Sequence, residues 1–215
     1  MFTGIIEEVG VVRDIQRRAG YQRTTLEASR ILDGVKIGDS LSLSGACHTV
    51  VAFDAHQFVV ESVNETLQRT TLGQFRVGSR VNLERSLKLG DRLDGHLVAG
   101  HVDGVGKVLQ RLESADNVLF EFEVPQHLSP YIAEKGSVAV DGISLTVVSV
   151  SDRTFSVAVI PHTLSVTTLA GCYAGDRVNL EVDLIARYLE RLVRFGQGFP
   201  QGLTEAAIRK MGYEQ

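Results

Sequence analysis

Two histidines are the side chains in this sequence best suited to moving protons. His96 and His101 both lie in a glycine-rich segment, residues 94–104. Histidine is the residue type whose ordinary pKa lies nearest neutral pH, which suits a general acid or base. Ser144 and Thr146 are candidate partners, because residues two apart in a strand share one face. Together these groups are typical of acid–base chemistry on a bound ligand.

A metal site around the two histidines is disfavoured. Their separation of five residues fits neither strand nor helix geometry, and no cluster of cysteines or carboxylates accompanies them. The glycines of this segment lack the spacing of a dinucleotide-binding turn, and the chain has no P-loop. Lys135 and Asp183 are further charged candidates. An alternative stays open, in which these four residues are ordinary loop and surface groups.

An internal repeat tells us which elements must position these residues. Val81-Asn-Leu-Glu84 returns unchanged as Val178-Asn-Leu-Glu181, and Gly45-Ala-Cys-His-Thr-Val50 returns as Gly142-Ile-Ser-Leu-Thr-Val147, in both cases 97 residues later. A repeat of this length is a domain duplication, since solenoid and propeller units are about 20–50 residues long. We therefore expect two domains, residues 1–96 and residues 97–183, followed by a tail of residues 184–215.

Matched polar residues predict a similar ligand cradle in each copy. Gly45 and Gly142 would let backbone approach a ligand closely. The copies also retain hydroxyl or thiol groups at three matched positions, Cys47/Ser144, Thr49/Thr146 and Thr66/Thr163. Each copy would thus offer a shallow site rich in hydroxyls and backbone donors, which suits a flat polar heterocycle with a polyol chain.

Ionisable residues distinguish the second copy from the first. His101 aligns with Ile5, Asp183 with Ser86, and Lys135 with Ile37 or Gly38. The second copy therefore carries ionisable groups that the first lacks. This asymmetry predicts that one domain hosts catalysis and the other hosts binding.

The local pattern predicts an all-β architecture. Five segments in the first copy and six in the second are short, rich in β-branched residues and separated by Gly, Asp and Ser. About six short strands per copy favour a small closed antiparallel barrel, because closure removes exposed sheet edges. Short helical turns are expected at residues 65–72, 162–169 and 126–134.

The tail has a different period. Apolar residues recur every three to four positions across residues 183–195, which predicts an amphipathic helix with Asp183 as a candidate N-cap. A linker at residues 196–202 and a short helix at residues 204–211 would follow. The apolar stripe could dock on its own barrel or on copies of itself in an oligomer, and the pattern does not choose between them.

Composition narrows the class of protein. The chain is 44% hydrophobic and 22% charged, with a net charge of −4 and no basic stretch, so a nucleic-acid partner is disfavoured. Residues 1–8 lack the basic start of a signal peptide, and no apolar run approaches the about 18 residues of a membrane span. Cys47 and Cys172 do not match in the repeat, so we expect free thiols and a cytoplasmic location.

Several separate motifs, in order along the chain, resemble the riboflavin synthase family. They are Met1–Ile6, Gly95–His101, Lys135–Val147 and Pro161–Leu164. The resemblance implies two six-stranded Greek-key barrels and a C-terminal helix that builds a homotrimer. It implies dismutation of two molecules of 6,7-dimethyl-8-ribityllumazine into riboflavin and 5-amino-6-(D-ribitylamino)uracil, with no metal or organic cofactor. The site would lie between the N-terminal barrel of one subunit and the C-terminal barrel of its neighbour, and a lumazine synthase shell is a further candidate partner.

The resemblance also assigns site residues. The first barrel's pocket would use Gly4, Ile5, Ile6, Cys47, His48, Thr49, Glu61, Ser62 and Thr66. The second would use Gly100, His101, Val102, Lys135, Ser144, Leu145, Thr146, Ile160 and Thr163. Positions tied to activity are Phe2, Ser40, Cys47, His96, His101, Lys135, Ser144, Thr146 and Asp183.

The resemblance suggests a role for several of these side chains. His101 is the best candidate to assist removal of a proton from the substrate's 7-methyl group, and Ser144 and Thr146 could hold the ring or a bound nucleophile. Ser40 and Cys47 would act across the interface on the other substrate. His48 stands where the family more often has an apolar or neutral residue, so it would face solvent or add a donor to the first site.

Two other functions fit the sequence less well. The lumazine and yellow fluorescent proteins of luminous bacteria share the duplicated fold and bind a lumazine or flavin without dismutation, but their glycine-histidine junction is degraded, whereas His96 and His101 stand here. A flavin-reductase-like barrel that moves hydride would need a nucleotide-binding α/β domain, and the sequence shows no βαβ segment.

Overall fold

The computed structural model of the chain describes residues 1–196. The predicted linker at residues 196–202 lies outside the described residues except for Gly196, which ends the last described helix instead. The predicted helix at residues 204–211 and most of the predicted tail domain also lie outside them. Residues 1–184 form one compact unit, and the described residues from Ile185 onward belong to a second unit. Within residues 1–196, no helix has the length and hydropathy needed to cross a membrane.

The first copy folds into a closed antiparallel barrel. Its strands are β1 (Glu8–Arg18), β2 (Tyr21–Glu27), β3 (Ser40–Leu43), β4 (Ala46–Phe53), β5 (Gln57–Val63) and β6 (Arg80–Arg85). They pair in the order β1-β2-β5-β4-β3-β6, and β6 pairs again with β1. A short helix α1 (Asn64–Arg69) follows β5. The sequence pattern missed β2, because two of its inward-facing residues, Gln22 and Thr24, are polar and disguise the alternation.

The second copy repeats this topology. Its strands are β7 (Gly104–Glu113), β8 (Val118–Glu123), β9 (Ser137–Val140), β10 (Ile143–Val150), β11 (Thr154–Val159) and β12 (Arg177–Val182), with the helix α2 (Pro161–Val166) after β11. Their cyclic order is β7-β8-β11-β10-β9-β12. Each barrel has its own apolar core. The predicted fold, two duplicated six-stranded barrels, is confirmed.

Two tight turns bring the barrels together. Ser44-Gly45 joins β3 to β4 and Asp141-Gly142 joins β9 to β10, with φ values of 43° and 88° in the first turn and 45° and 78° in the second. Such left-handed pairs form the turns that suit two-residue hairpins. A Cβ on Gly142 would lie 2.7 Å from the Gly45 nitrogen. The prediction that these glycines let a ligand approach the backbone is therefore wrong. Instead, they let the backbones of the two turns approach each other.

The repeated Val-Asn-Leu-Glu motif locks one barrel to the other. Asn82 Oδ1 accepts the Thr168 N–H at 2.8 Å, and Asn82 Nδ2 donates to the Asp141 carbonyl at 3.0 Å. At the matched position, Asn179 Oδ1 accepts the Thr71 N–H at 2.8 Å, and its Nδ2 donates to the Ser44 carbonyl at 2.7 Å. Both asparagines are buried. The exact repetition of the motif thus has a structural cause.

The predicted amphipathic helix is present as α3 (Leu184–Gly196). Six large apolar side chains on it are more than half exposed: Ile185, Tyr188, Leu189, Leu192, Val193 and Phe195. Glu190 and Arg194 form an ion pair one turn apart.

Candidate functional site

Strand alternation places the predicted hydroxyl and thiol groups on the outer faces of the barrels. Cys47 and Thr49 face outward on β4, and Ser40 on β3 pairs with Thr49. Ser144 and Thr146 occupy the matched positions on β10. Thr49 and Thr146 are both exposed. Each barrel therefore presents a small polar patch to solvent, as the sequence predicted.

A further hydroxyl completes the second patch. Ser137 on β9 pairs with Thr146, as Ser40 pairs with Thr49 in the first barrel. Ser137 was not among the residues predicted from the sequence, although its position in the repeat is the counterpart of Ser40. We call the outer patch of the first barrel the first half-site and that of the second barrel the second half-site, each taken together with the chain segment that crosses to it from the other barrel.

The segment that leads into each barrel crosses to the other barrel's patch. Cys47 donates its N–H to the Gly100 carbonyl at 2.8 Å, and Ser144 donates to the Gly4 carbonyl at 2.8 Å. The division of residues given above is therefore wrong in one respect. Gly4, Ile5 and Ile6 border the second half-site, and Gly100, His101 and Val102 border the first.

The side chains that follow Gly4 and Gly100 confirm that each segment packs against the other barrel. Ile6 packs against the core of the second barrel, and Val102 packs against the core of the first. Gly4 has a φ of 77° and Gly100 a φ of 81°. A Cβ on Gly4 would approach the Ser144 Cβ to 2.6 Å, so both conformation and space require glycine there.

Phe2 lies buried behind the segment that crosses to the first half-site. It forms an antiparallel bridge with Val98, with N–O distances of 2.7 and 3.1 Å. Its side chain is fully buried, in a small cluster with Val98, Ala139 and the half-buried Cys47. A Cβ on Gly100 would meet the Phe2 ring at 2.7 Å. Phe2 therefore shapes the first half-site by packing behind it.

His96 and Ser144 form a hydrogen-bonded pair beside the second half-site. The distance from His96 Nδ1 to Ser144 Oγ is 2.7 Å. Burial lowers the pKa of His96, and the nearby Asp183 carboxylate opposes this effect. Among residues 1–196, His96 Nε2 is buried and has no hydrogen-bond partner. A neutral imidazole can accept the Ser144 hydroxyl proton at Nδ1, which increases the electron density on the serine oxygen.

Lys135 occupies a strained position next to the second half-site. Its backbone N–H donates to the Val147 carbonyl at 2.9 Å, as the Gly38 N–H donates to the Val50 carbonyl at 2.9 Å. Gly38 is therefore its counterpart in the first copy. Lys135 has a φ of 62°, which a side chain disfavours and a glycine does not. Backbone strain of this kind clusters at functional sites in proteins.

Other predicted residues fall into two groups. Ile160 is exposed and Thr163 half-buried at α2, in the place that Val63 and Thr66 hold at α1. Glu61 is exposed and forms an ion pair with Arg23 at 3.1 Å.

His48, Ser62 and Leu145 are buried instead, because they alternate with the outward residues of their strands. His48 Nδ1 lies 2.9 Å from the Ala46 carbonyl oxygen, and Nε2 lies 2.8 Å from Ser62 Oγ. The prediction that His48 faces solvent or adds a donor to the first site is therefore wrong.

Two buried glutamates were not selected from the sequence. Glu84 and Glu181 end the repeated Val-Asn-Leu-Glu motif and bind the crossing segments. Their exact repetition in both copies was the only sequence pattern that marked these glutamates. Shared ancestry would also explain that repetition, and the hydrogen bonds join residues too far apart in the chain to be predicted from sequence.

Comparison with known proteins gives a consistent result. The family model described as "Lumazine binding domain" matches twice, at residues 3–86 and 99–183. A riboflavin synthase of Brucella abortus (strain 2308) is 44% identical over 200 residues, which cover 91% of this chain and 99% of that protein. A riboflavin synthase of Bacillus subtilis (strain 168) is 35% identical over 215 residues, covering 99% of this chain and 100% of that protein.

A solved structure shares the fold. The crystal structure of LumP complexed with riboflavin aligns with a TM-score of 0.79 and 26% sequence identity, covering 85% of this chain and 99% of its own. Both barrels of the present chain thus have relatives in sequence and in structure.

Proposed function

Because this chain belongs to the riboflavin synthase family, we propose that it converts two molecules of 6,7-dimethyl-8-ribityllumazine into riboflavin and 5-amino-6-(D-ribitylamino)uracil. The observation that carries this function is the presence of two matched half-sites on one chain. Each has two outward polar residues on a strand and a glycine segment from the other barrel. A dismutase needs this duplication, since it binds the same molecule twice.

The two half-sites differ in their charged groups, as two different fates of the substrate require. The first has the exposed His101, which follows the Gly100 whose carbonyl accepts the Cys47 N–H. The second has the His96–Ser144 pair, with Lys135 and Asp183 nearby. The asymmetry predicted from sequence is therefore revised, because the crossing moves His101 to the first half-site.

His101 is the proposed base. Its side chain is exposed while its backbone is anchored, so the imidazole can reach a bound ligand. The 7-methyl group of the lumazine is acidic because the ring delocalises the resulting anion. A positioned imidazole then needs only to accept the proton as the carbanion forms.

Ser144 is the proposed oxygen group of the second half-site. Its hydroxyl can donate to the neutral His96, which leaves its oxygen more nucleophilic. That oxygen can add to the electron-poor ring or hold a nucleophile there. Lys135 would supply positive charge beside the ring as negative charge develops on it.

Both half-sites are open in the single chain. This supports an assembly in which a half-site of one subunit covers a half-site of its neighbour. Thr49, Thr146, Ile5 and Ile160 are exposed, and α3 exposes its apolar stripe. We propose a cytoplasmic homotrimer in which the first half-site of one subunit faces the second half-site of its neighbour. Holding two lumazines face to face would supply much of the acceleration, because it removes the entropy of bringing them together.

Mixing two inactive variants tests this arrangement. One carries Thr49→Val and Cys47→Ala in the first half-site, and the other carries Ser144→Ala and Thr146→Val in the second. Refolding them together should restore riboflavin formation that neither variant shows alone. Absence of any recovery in mixed oligomers would contradict a site shared between subunits. Sedimentation with and without lumazine synthase tests the candidate shell.

A further inference from the structure

Glu181 holds the backbone of the segment that carries His101. Its Oε1 accepts the Ala99 N–H at 2.5 Å, and its Oε2 accepts the Gly100 N–H at 3.0 Å and the His101 N–H at 2.9 Å. Three successive backbone donors thus converge on one carboxylate. The segment cannot shift along β12 without losing all three hydrogen bonds.

Glu84 does the same for the other crossing segment. Its Oε1 accepts the Thr3 N–H at 2.6 Å and the Thr3 hydroxyl at 2.7 Å, and its Oε2 accepts the Gly4 N–H at 3.1 Å. Thr3 aligns with Ala99, so the first copy adds a hydroxyl where the second uses a third backbone donor. The two glutamates are therefore equivalent anchors.

Both carboxylates are placed at a cost. Glu84 is 3% and Glu181 5% exposed. Burial raises the pKa of both, to about 7 for Glu181, while the backbone donors oppose the rise. Burying a carboxylate is unfavourable unless several donors compensate it. A side chain that served only to fill space here would be apolar.

Each anchor is connected to a half-site by hydrogen bonds and by the chain that follows the glycine. Glu181 fixes Gly100, whose carbonyl binds Cys47, and the next residue is His101. Glu84 fixes Gly4, whose carbonyl binds Ser144, and the next residue is Ile5. Neither glutamate is among the outward residues that face the ligand.

We propose that Glu181 is a positioning residue that aims His101 at the substrate of the first half-site, and that Glu84 positions Gly4 and Ile5 at the second. This inference rests on the proposed function, because it assigns Glu181 an effect on turnover through His101. It adds two residues of a repeated motif to the determinants of catalysis.

A double-mutant cycle tests the connection to His101. In Glu181→Gln the oxygen can still accept two backbone N–H groups, but the amide NH2 group faces the third donor. We expect kcat to fall at least about tenfold, since a small displacement of a catalytic group is costly. The double variant Glu181→Gln/His101→Ala should turn over no more slowly than His101→Ala alone, because the glutamate acts through that histidine.

Glu84→Gln provides the matched control. It removes the equivalent anchor of the other half-site, so its loss should multiply with that of His101→Ala. The positioning role is contradicted if Glu181→Gln and Glu84→Gln show the same dependence on His101→Ala. It is also contradicted if Glu181→Gln lowers the kcat of His101→Ala further.

Thermal unfolding checks that each variant is folded. Glu181→Asp is a second variant that tests the same positioning role. Aspartate retains the charge but is one methylene shorter, so it should give a smaller loss with the same dependence on His101. A full loss that is additive with His101→Ala would overturn the proposal. The wild-type chain is assayed in parallel. Its failure to form riboflavin would refute the proposed function, whereas a normal wild-type rate with additive losses would refute only the positioning role.

Discussion

Ser144 donates its backbone N–H to the carbonyl oxygen of Gly4 at 2.8 Å, although the two residues belong to different copies of the repeat. Cys47 and Gly100 make the same contact in the other direction at 2.8 Å. Each half-site is therefore built from both copies, so neither barrel can form a complete half-site alone. The duplication and the exchange of leading segments together explain how one chain binds two similar ligands with different surroundings.

Removing the proposed base should slow the reaction without abolishing it. We expect His101→Ala to lower kcat by about 10²-fold, the lower range for loss of a general base. Residual turnover should persist, since alignment of the two lumazines contributes independently. Stopped-flow measurement of riboflavin formation checks this. Complete loss with ligand binding intact would instead make His101 indispensable.

Lys135→Gly should separate activity from stability. Glycine relieves the left-handed conformation at φ 62° but is more flexible when unfolded, so the free energy of unfolding should change by no more than about 1 kcal/mol. The rate of riboflavin formation should fall at least about tenfold, because the cation beside the second half-site is lost.

Gly38→Lys is the reciprocal control. It introduces the strained lysine into the first copy and should destabilise the fold by about 1–2 kcal/mol. Urea unfolding and steady-state kinetics measure both variants. A fully active Lys135→Gly would show that the strained lysine has no role in the reaction.

The hydrogen bonds that Asn82 and Asn179 make between the barrels should contribute strongly to the free energy of unfolding. Asn179→Ala leaves the Thr71 N–H and the Ser44 carbonyl without partners, which should cost about 2–4 kcal/mol. Asn64 is exposed at the start of α1, and Asn64→Ala should change the free energy of unfolding by about 0.5 kcal/mol or less. Equal effects in urea unfolding would contradict a structural lock.

The buried His48 should make the wild-type chain sensitive to acid. Burial lowers its pKa below the ordinary value of 6.5, so the unfolded chain binds the proton more readily. The contribution of His48 to stability should therefore be lost as the pH falls below about 6.5 toward the folded-state pKa, and be constant above about 6.5.

The second barrel supplies the matched replacement, since Leu145 and Val159 stand where the first has His48 and Ser62. The double variant His48→Leu/Ser62→Val should lose less stability between pH 7 and lower pH than the wild type. Parallel unfolding curves that show the same acid dependence for both proteins would refute this assignment.

The sequence predicted the barrels because the repeat fixed equivalent positions and the strands alternate. It missed β2, where Gln22 and Thr24 replace apolar residues inside the barrel. Strand period also predicted correctly that Thr49 shares a face with Cys47 and that Thr146 shares a face with Ser144. The exchange of Gly4 and Gly100 was beyond local patterns, because a hydrogen bond between distant segments leaves no spacing signal. Glu84 and Glu181 were hidden for the same reason.

Product stoichiometry tests the central claim most directly. The purified protein is mixed with a large excess of 6,7-dimethyl-8-ribityllumazine, and both products are quantified over time. Dismutation predicts equal amounts of riboflavin and 5-amino-6-(D-ribitylamino)uracil, with two lumazines consumed for each riboflavin, over many turnovers. A stable lumazine complex that yields neither product would contradict the account and indicate a protein that only binds its ligand.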